Sequence, residues 1–114
     1  MVNNLLVFHG SNLDLKSQIK QLEQEIQKQT DKKFVICFLK KSPSLKEELF
    51  KSAYNNFIKI NIIPLFMLPG SHLQQDIPDI IQEFSKYYPN ISINLNSYLA
   101  SDQDFIKYMT KKII

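Results

Sequence analysis

The chain contains no arginine, so all 14 of its basic side chains are lysines. The chain's net charge of +3 over 114 residues is compatible with an anionic ligand, but it is too small and too dispersed to mark a nucleic-acid surface. The abundance of Asn, Lys and Ile beside absent arginine fits the codon usage of an AT-rich genome better than a functional demand. Cysteine occurs once, at Cys37, which excludes an intramolecular disulfide and fits a reducing, cytosol-like compartment. No apolar run approaches the roughly 20 residues needed to span a bilayer. Met1-Val2-Asn3-Asn4 leads straight into an apolar run, without the charged and apolar regions of a signal peptide. A cytoplasmic protein free in solution is therefore expected. Glycine and histidine each occur twice, and the four residues form two neighbouring pairs: His9 with Gly10, and Gly70 with His72.

With 44% hydrophobic and 22% charged residues, the composition is that of an ordinary globular protein, and the length fits one domain over residues 1–114. The hydrophobic periodicity alternates throughout. Leu5–Phe8 and Phe34–Leu39 are short continuous apolar runs, as expected of strands buried on both faces. Ile58–Phe66 reads as a third strand, and Ile91–Leu95 alternates with period two, as suits an edge strand. Helical stripes lie between them. Asp14 precedes Leu15, Ile19, Leu22 and Ile26; Ser44-Leu45-Lys46-Glu47 is a capping box ahead of Leu49, Ala53 and Tyr54.

Asp76-Ile77-Pro78-Asp79 reads as the start of a third helix, with Pro78 in its first turn and Ile77, Ile80, Ile81 and Phe84 inward. Ser101 is the expected cap of a last helix through Phe105, Tyr108 and Met109, and Lys16–Lys33 reads as a solvated helix face. Four β/α units predict an α/β fold: an open four-stranded parallel sheet flanked by helices, with flavodoxin-like layering.

Ligands of such sheets bind beyond the carboxyl ends of the strands. That rule brings His9, Lys40, Lys41 and the loop from Pro69 to Asp76 to one rim. Two imidazoles there suit cobalt, nickel or iron as a passing divalent ion, since two ligands make an open site. A closed structural zinc site needs four ligands, which no His/Cys cluster supplies. Lys40 and Lys41 are candidate partners for anionic ligand groups, and the Ser11 hydroxyl for a ligand carboxylate. Gly10 and Gly70 are candidates for backbone conformations that other residues adopt only with strain. Asp76 reads as a helix cap with a contact to His72, and Phe66-Met67-Leu68 as core or as one wall of a flat pocket. Cys37 reads as a small buried apolar residue.

Two other readings of these loops are weaker. A hydrolase with Ser11 as nucleophile, His72 as base and Asp76 as orienting acid lacks glycine on both sides of the serine. A phosphate loop at Gly10-Ser11-Asn12 lacks the repeated glycines and the lysine.

Taken in order, Val7-Phe8-His9-Gly10-Ser11, Phe38-Leu39-Lys40 with Pro43-Ser44-Leu45, and Ile63-Pro64-Leu65-Phe66-Met67-Leu68-Pro69-Gly70-Ser71-His72 through Asp76-Ile77-Pro78 resemble the small class II chelatases that act on sirohydrochlorin. The resemblance covers nearly the whole chain. It implies a chelatase-like fold and insertion of cobalt, nickel or iron into a tetrapyrrole, cobalt first, with the metal as substrate and no further cofactor. It implies His9 and His72 as the metal-binding, proton-accepting pair, with Gly10, Ser11, Lys40, Lys41, Gly70 and Ser71 around the macrocycle. It also implies a homodimer, with neither nucleic acid nor membrane as partner. The chain departs from the family pattern at Phe8 (commonly glycine), Asn12 (commonly arginine) and Lys40 (commonly glutamate). A tetrapyrrole- or metal-binding relative without turnover is the rival reading, and Lys40 is the feature that favours it.

Overall fold

The structure, a computed structural model, describes residues 1–11, 13–68, 70 and 73–114, with residues 73 and 74 described by backbone alone. The elements alternate as β1 (Val2–Phe8), α1 (Lys16–Gln29), β2 (Phe34–Phe38), α2 (Leu45–Tyr54), β3 (Lys59–Pro64), α3 (Leu73–Tyr87), β4 (Ser92–Leu95) and α4 (Gln103–Lys112), the last preceded by a 3-10 turn at Leu99–Ser101. The four strands form one parallel sheet in the order β2-β1-β3-β4, the open α/β sheet expected from the periodicity. The central strand β1 pairs on both sides, aligning Leu5 with Val35 and Ile62, and Val7 with Cys37 and Pro64.

The core lies on one face of this sheet. Leu5, Val7, Cys37, Ile60 and Ile62 pack there against Leu45 and Leu49 of α2 and Ile77 and Phe84 of α3, all essentially excluded from water. Burial on this scale is the main favourable term of the fold. A buried polar pair sits among the apolar groups: Asn3 donates to the Ser52 hydroxyl at 2.8 Å, which donates to the Glu48 carbonyl at 2.7 Å.

The opposite face is less covered. Ile36 and Phe38 are buried, but Leu6 and Phe8 are only half-buried, short of the two-sided burial expected for β1. α1 buries no residue completely, and Leu22 of its predicted stripe is exposed. Further along this face a row of asparagines crosses three aligned strands. The Asn61 amide donates to Asn4 at 2.9 Å, while Asn94 and Asn96 both donate to the Asn61 oxygen at 2.8 Å.

Helix ends follow local chemistry with some departures from the periodicity. Ser44 caps α2 as expected, its hydroxyl accepting from the Glu47 amide, but the Glu47 carboxylate accepts from the Ser42 hydroxyl. α2 turns Leu45, Glu48, Leu49 and Ser52 inward and leaves Tyr54 84% exposed, so Tyr54 is not a core residue. α3 begins at Leu73, earlier than the predicted Asp76, with Pro78 inside it. Proline there removes only the bond to the Gln74 carbonyl, a loss confined to the helix start. Asp102, not Ser101, caps α4, its carboxylate accepting from the Phe105 amide at 2.9 Å, because Ser101 is used in the preceding 3-10 turn. Among the described residues, no helix is long and apolar enough to cross a membrane.

Candidate functional site at the carboxyl rim

The chain leaves each strand end under firm backbone control. The Leu39 and Lys40 amides donate to the Phe8 and His9 carbonyls, both at 2.9 Å, and the Leu65 amide donates to the Val7 carbonyl at 2.8 Å. His9 is thus held directly by the continuation of β2, while the continuation of β3 holds Val7 two residues before it. Its side chain is exposed. Nδ1 lies 3.1 Å from the Gly10 carbonyl oxygen. In the tautomer that makes this bond, Nδ1–H donates and Nε2 carries the lone pair, the protonation pattern a metal-binding imidazole requires.

Gly10 makes this geometry accessible. Its φ is +93°, in the region that favours glycine, and an added Cβ would lie 3.3 Å from Lys41 Cγ and 3.4 Å from Phe38 Cβ. At Gly70 an added Cβ meets no described atom within 4 Å. Ser11 is exposed, and its hydroxyl accepts from the Leu13 amide at 3.2 Å, which makes it a turn former. Asn12, Pro69, Ser71 and His72 lie outside the described residues, so the rim's second predicted imidazole is known from sequence alone.

The two lysines differ. Lys40 is exposed and its ammonium stands 3.8 Å from the Asp76 carboxylate of α3. Lys41 folds back over the Phe38 ring, with Nζ 4.8 Å from the ring centroid, a cation–π contact. Of the two, Lys40 is the one that meets the helix carrying Asp76. Asp76 is therefore not the helix cap expected of it: α3 already begins at Leu73, so Asp76 lies inside the first turn and its carboxylate meets Lys40 instead.

Next to His9 the surface is aromatic. The His9 ring stands edge-on to Phe66 at 6.2 Å between centroids, and Phe66 lies 6.4 Å from Tyr98. Phe66 is 8% exposed and belongs to the core, while Met67 and Leu68 after it are exposed. Burial pushes the Tyr98 hydroxyl above its ordinary range, and the nearby Asp76 charge raises it further. Tyr98 was not singled out from the sequence. It carries no local signal, because its place beside Phe66 is created by the pairing of β3 with β4. Cys37 is fully buried and its thiol is pushed up to about 12, by burial first and by the Glu48 charge second, so it is a core residue and no ligand. Among the described residues no cluster of three or more His, Cys, Asp or Glu side chains is placed to hold a metal ion.

An open parallel sheet with an outward imidazole at the end of its central strand, a glycine-enabled turn and a charged pair at the rim defines an α/β protein with one ligand-facing edge. Residues 3–114 match the CbiX family, and the chain belongs to it. Among curated proteins it is 25% identical over 79 residues to the sirohydrochlorin ferrochelatase of Priestia megaterium, covering 68% of this chain and 30% of that protein. It is 30% identical over 84 residues to the sirohydrochlorin cobaltochelatase of Methanopyrus kandleri, covering 71% and 59%. The matched segments thus span less than two thirds of either relative. Its fold is similar to the crystal structure of a cobalamin (vitamin B12) biosynthesis CbiX protein from Marinobacter aquaeolei, with TM-score 0.79, 18% identity, and coverage of 97% of this chain and 90% of that one. It is similar as well to the sirohydrochlorin chelatase SirB from Bacillus subtilis in complex with cobalt, with TM-score 0.77, 22% identity, and coverage of 98% and 50%.

Proposed function

We propose that this chain inserts a divalent metal ion into sirohydrochlorin, with His9 and His72 as the groups that bind the incoming ion and accept protons. The observation that carries the reading is the exposed His9 imidazole at the sheet's carboxyl rim, with Nδ1 3.1 Å from the Gly10 carbonyl oxygen. The relatives named sirohydrochlorin ferrochelatase and cobaltochelatase support the same substrate. Metal insertion exchanges one divalent ion for the two protons on the inner nitrogens of the macrocycle. A group suited to this holds the metal loosely and accepts a proton near neutral pH, and a neutral imidazole does both. The metal is the substrate, and the reaction calls for no resident cofactor.

Lys40, and the lysine-rich rim more generally, would draw the carboxylates of the macrocycle, while Gly10, Ser11, Gly70 and Ser71 shape the loops around it. Cobalt is the first metal to test, with nickel and iron(II) beside it. The working unit in this proposal is a cytosolic homodimer. Support comes from the cobalt-complexed chelatase, of which nearly all of this chain covers only half, leaving room there for a second unit of similar size.

The test is anaerobic absorbance of purified protein with sirohydrochlorin and each metal in turn, beside His9→Ala and His72→Ala. A metal-dependent spectral shift faster than the uncatalysed rate, and lost in both variants, is the expected result. Tight macrocycle binding without acceleration would instead identify a tetrapyrrole-binding protein. Ester hydrolysis abolished by Ser11→Ala and indifferent to metal would identify a hydrolase.

A further inference from the structure

We infer that a cavity at the amino-terminal edge of the sheet, at the opposite end of the strands from His9, is a binding site for a small amino acid with an apolar side chain. The cavity measures about 530 Å³, a size suited to a small organic ligand. It is lined by the starts of β1 and β2 and by the ends of α1 and α2. Two of the lining residues, Asn3 and Glu48, are only 7% and 6% exposed. The Ser52 hydroxyl is already engaged with both, accepting from the Asn3 amide and donating to the Glu48 backbone carbonyl. That leaves the Asn3 side-chain oxygen and the Glu48 carboxylate, and among the described residues neither meets a donor.

Among the described residues no side-chain oxygen is both sealed from solvent and unpaired, so these acceptors keep access to a space outside the protein interior. The cavity that both residues line supplies it. Buried acceptors without donors, one of them charged, are costly, and a primary ammonium with its three donors answers both. The lining also carries the ammoniums of Lys32, Lys33 and Lys51 and the carboxylate of Asp31, all exposed and none in an ion pair among the described residues. A bare amine is repelled by the lysines, and a bare carboxylate by Glu48. A zwitterion satisfies both, its ammonium at Glu48 and Asn3 and its carboxylate towards the lysines. The half-buried Phe34, Val35 and Phe57 in the same lining suit an apolar side chain. A crevice in which Glu48 is merely solvated is the competing explanation.

The probe is L-leucine, beside 3-methylbutylamine, which lacks only its carboxylate, and 4-methylpentanoate, which lacks only its amine. Titrations follow the backbone amides by NMR. Leucine at about 10 mM is expected to shift Asn3, Phe34 and Ser52 while Gly10 and Lys40 stay unmoved, with Kd about tenfold below that of either analogue. Glu48→Gln, of nearly the same shape, is expected to fold at least as well as wild type in urea, to bind leucine about tenfold more weakly, and to bind 4-methylpentanoate no worse. Lys51→Gln should weaken leucine severalfold at low salt and leave the amine analogue no weaker. Leucine that moves none of the three amides, that binds no better than its analogues, or that binds Glu48→Gln as well as wild type would overturn the inference. None of these outcomes touches metal insertion, and a protein that failed to metallate sirohydrochlorin would leave this site standing.

Discussion

The Lys40 ammonium stands 3.8 Å from the Asp76 carboxylate, joining the end of β2 to the first turn of α3 across the rim. Both side chains are well exposed, at 55% and 37%, so the pair contributes at most about 1 kcal/mol to stability. Its effect is on the field a charged ligand meets. Lys40→Gln is expected to weaken sirohydrochlorin binding severalfold at low ionic strength, with the difference fading as salt screens the contact. Asp76→Asn releases the ammonium and is expected to act in the opposite direction. Titrations at two salt concentrations check both, and salt-independent effects would refute the electrostatic role.

His9 is exposed and, among the described residues, its side chain makes one hydrogen bond, so His9→Ala is expected to leave the unfolding free energy within about 0.5 kcal/mol of wild type. Metal insertion should fall by about 100-fold or more, the scale at which metal sites respond to loss of supporting groups alone. Denaturant melts and metallation rates on the same preparation separate the two effects. A large loss of stability would mean that the rim is part of the fold's framework.

Gly10→Ala places a Cβ on a backbone with φ +93° and within 3.4 Å of two side chains. The strain is expected to cost about 1–2 kcal/mol. Because the Gly10 carbonyl anchors His9, metallation should also slow. Urea unfolding together with the rate assay tests this, and a variant as stable as wild type would show that the turn has another conformation open to it.

Cys37 gives a pH signature. Its thiol ordinarily ionises at 9.0, and in the folded protein this is pushed up to about 12. Above the ordinary value the unfolded chain loses the proton while the native protein keeps it. The contribution is therefore fully present below pH 9 and lost progressively as pH rises towards about 12. Wild type is expected to lose more stability than Cys37→Ala between pH 8 and pH 10.5 in urea titrations. Equal losses would show that the buried thiol does not govern the alkaline limb.

The strands and helices were legible because each buries one face or stripe, and periodicity reports burial. Its errors mark where something else decides. Proline at position 78 reads as a helix start, yet α3 starts at Leu73, because a helix loses only one early bond to an internal proline. Tyr54 reads as apolar and inward, but the helix is phased by Leu45 and Leu49, which brings Glu48 and Ser52 inward instead. His9 stood out by its rarity and its glycine neighbour. Tyr98 did not, since its meeting with Phe66 comes from strand order, a property of the sheet that no local window contains.

The row of asparagines through Asn4, Asn61, Asn94 and Asn96 bears on how this chain varies. Each amide answers the next, so removing Asn61 deprives three neighbours of a partner at once, whereas removing terminal Asn94 deprives one. Tolerance to change along the row is therefore graded by position, and its centre is open chiefly to concerted replacement. A drifting lineage would keep the whole row or exchange it for an apolar one in linked steps.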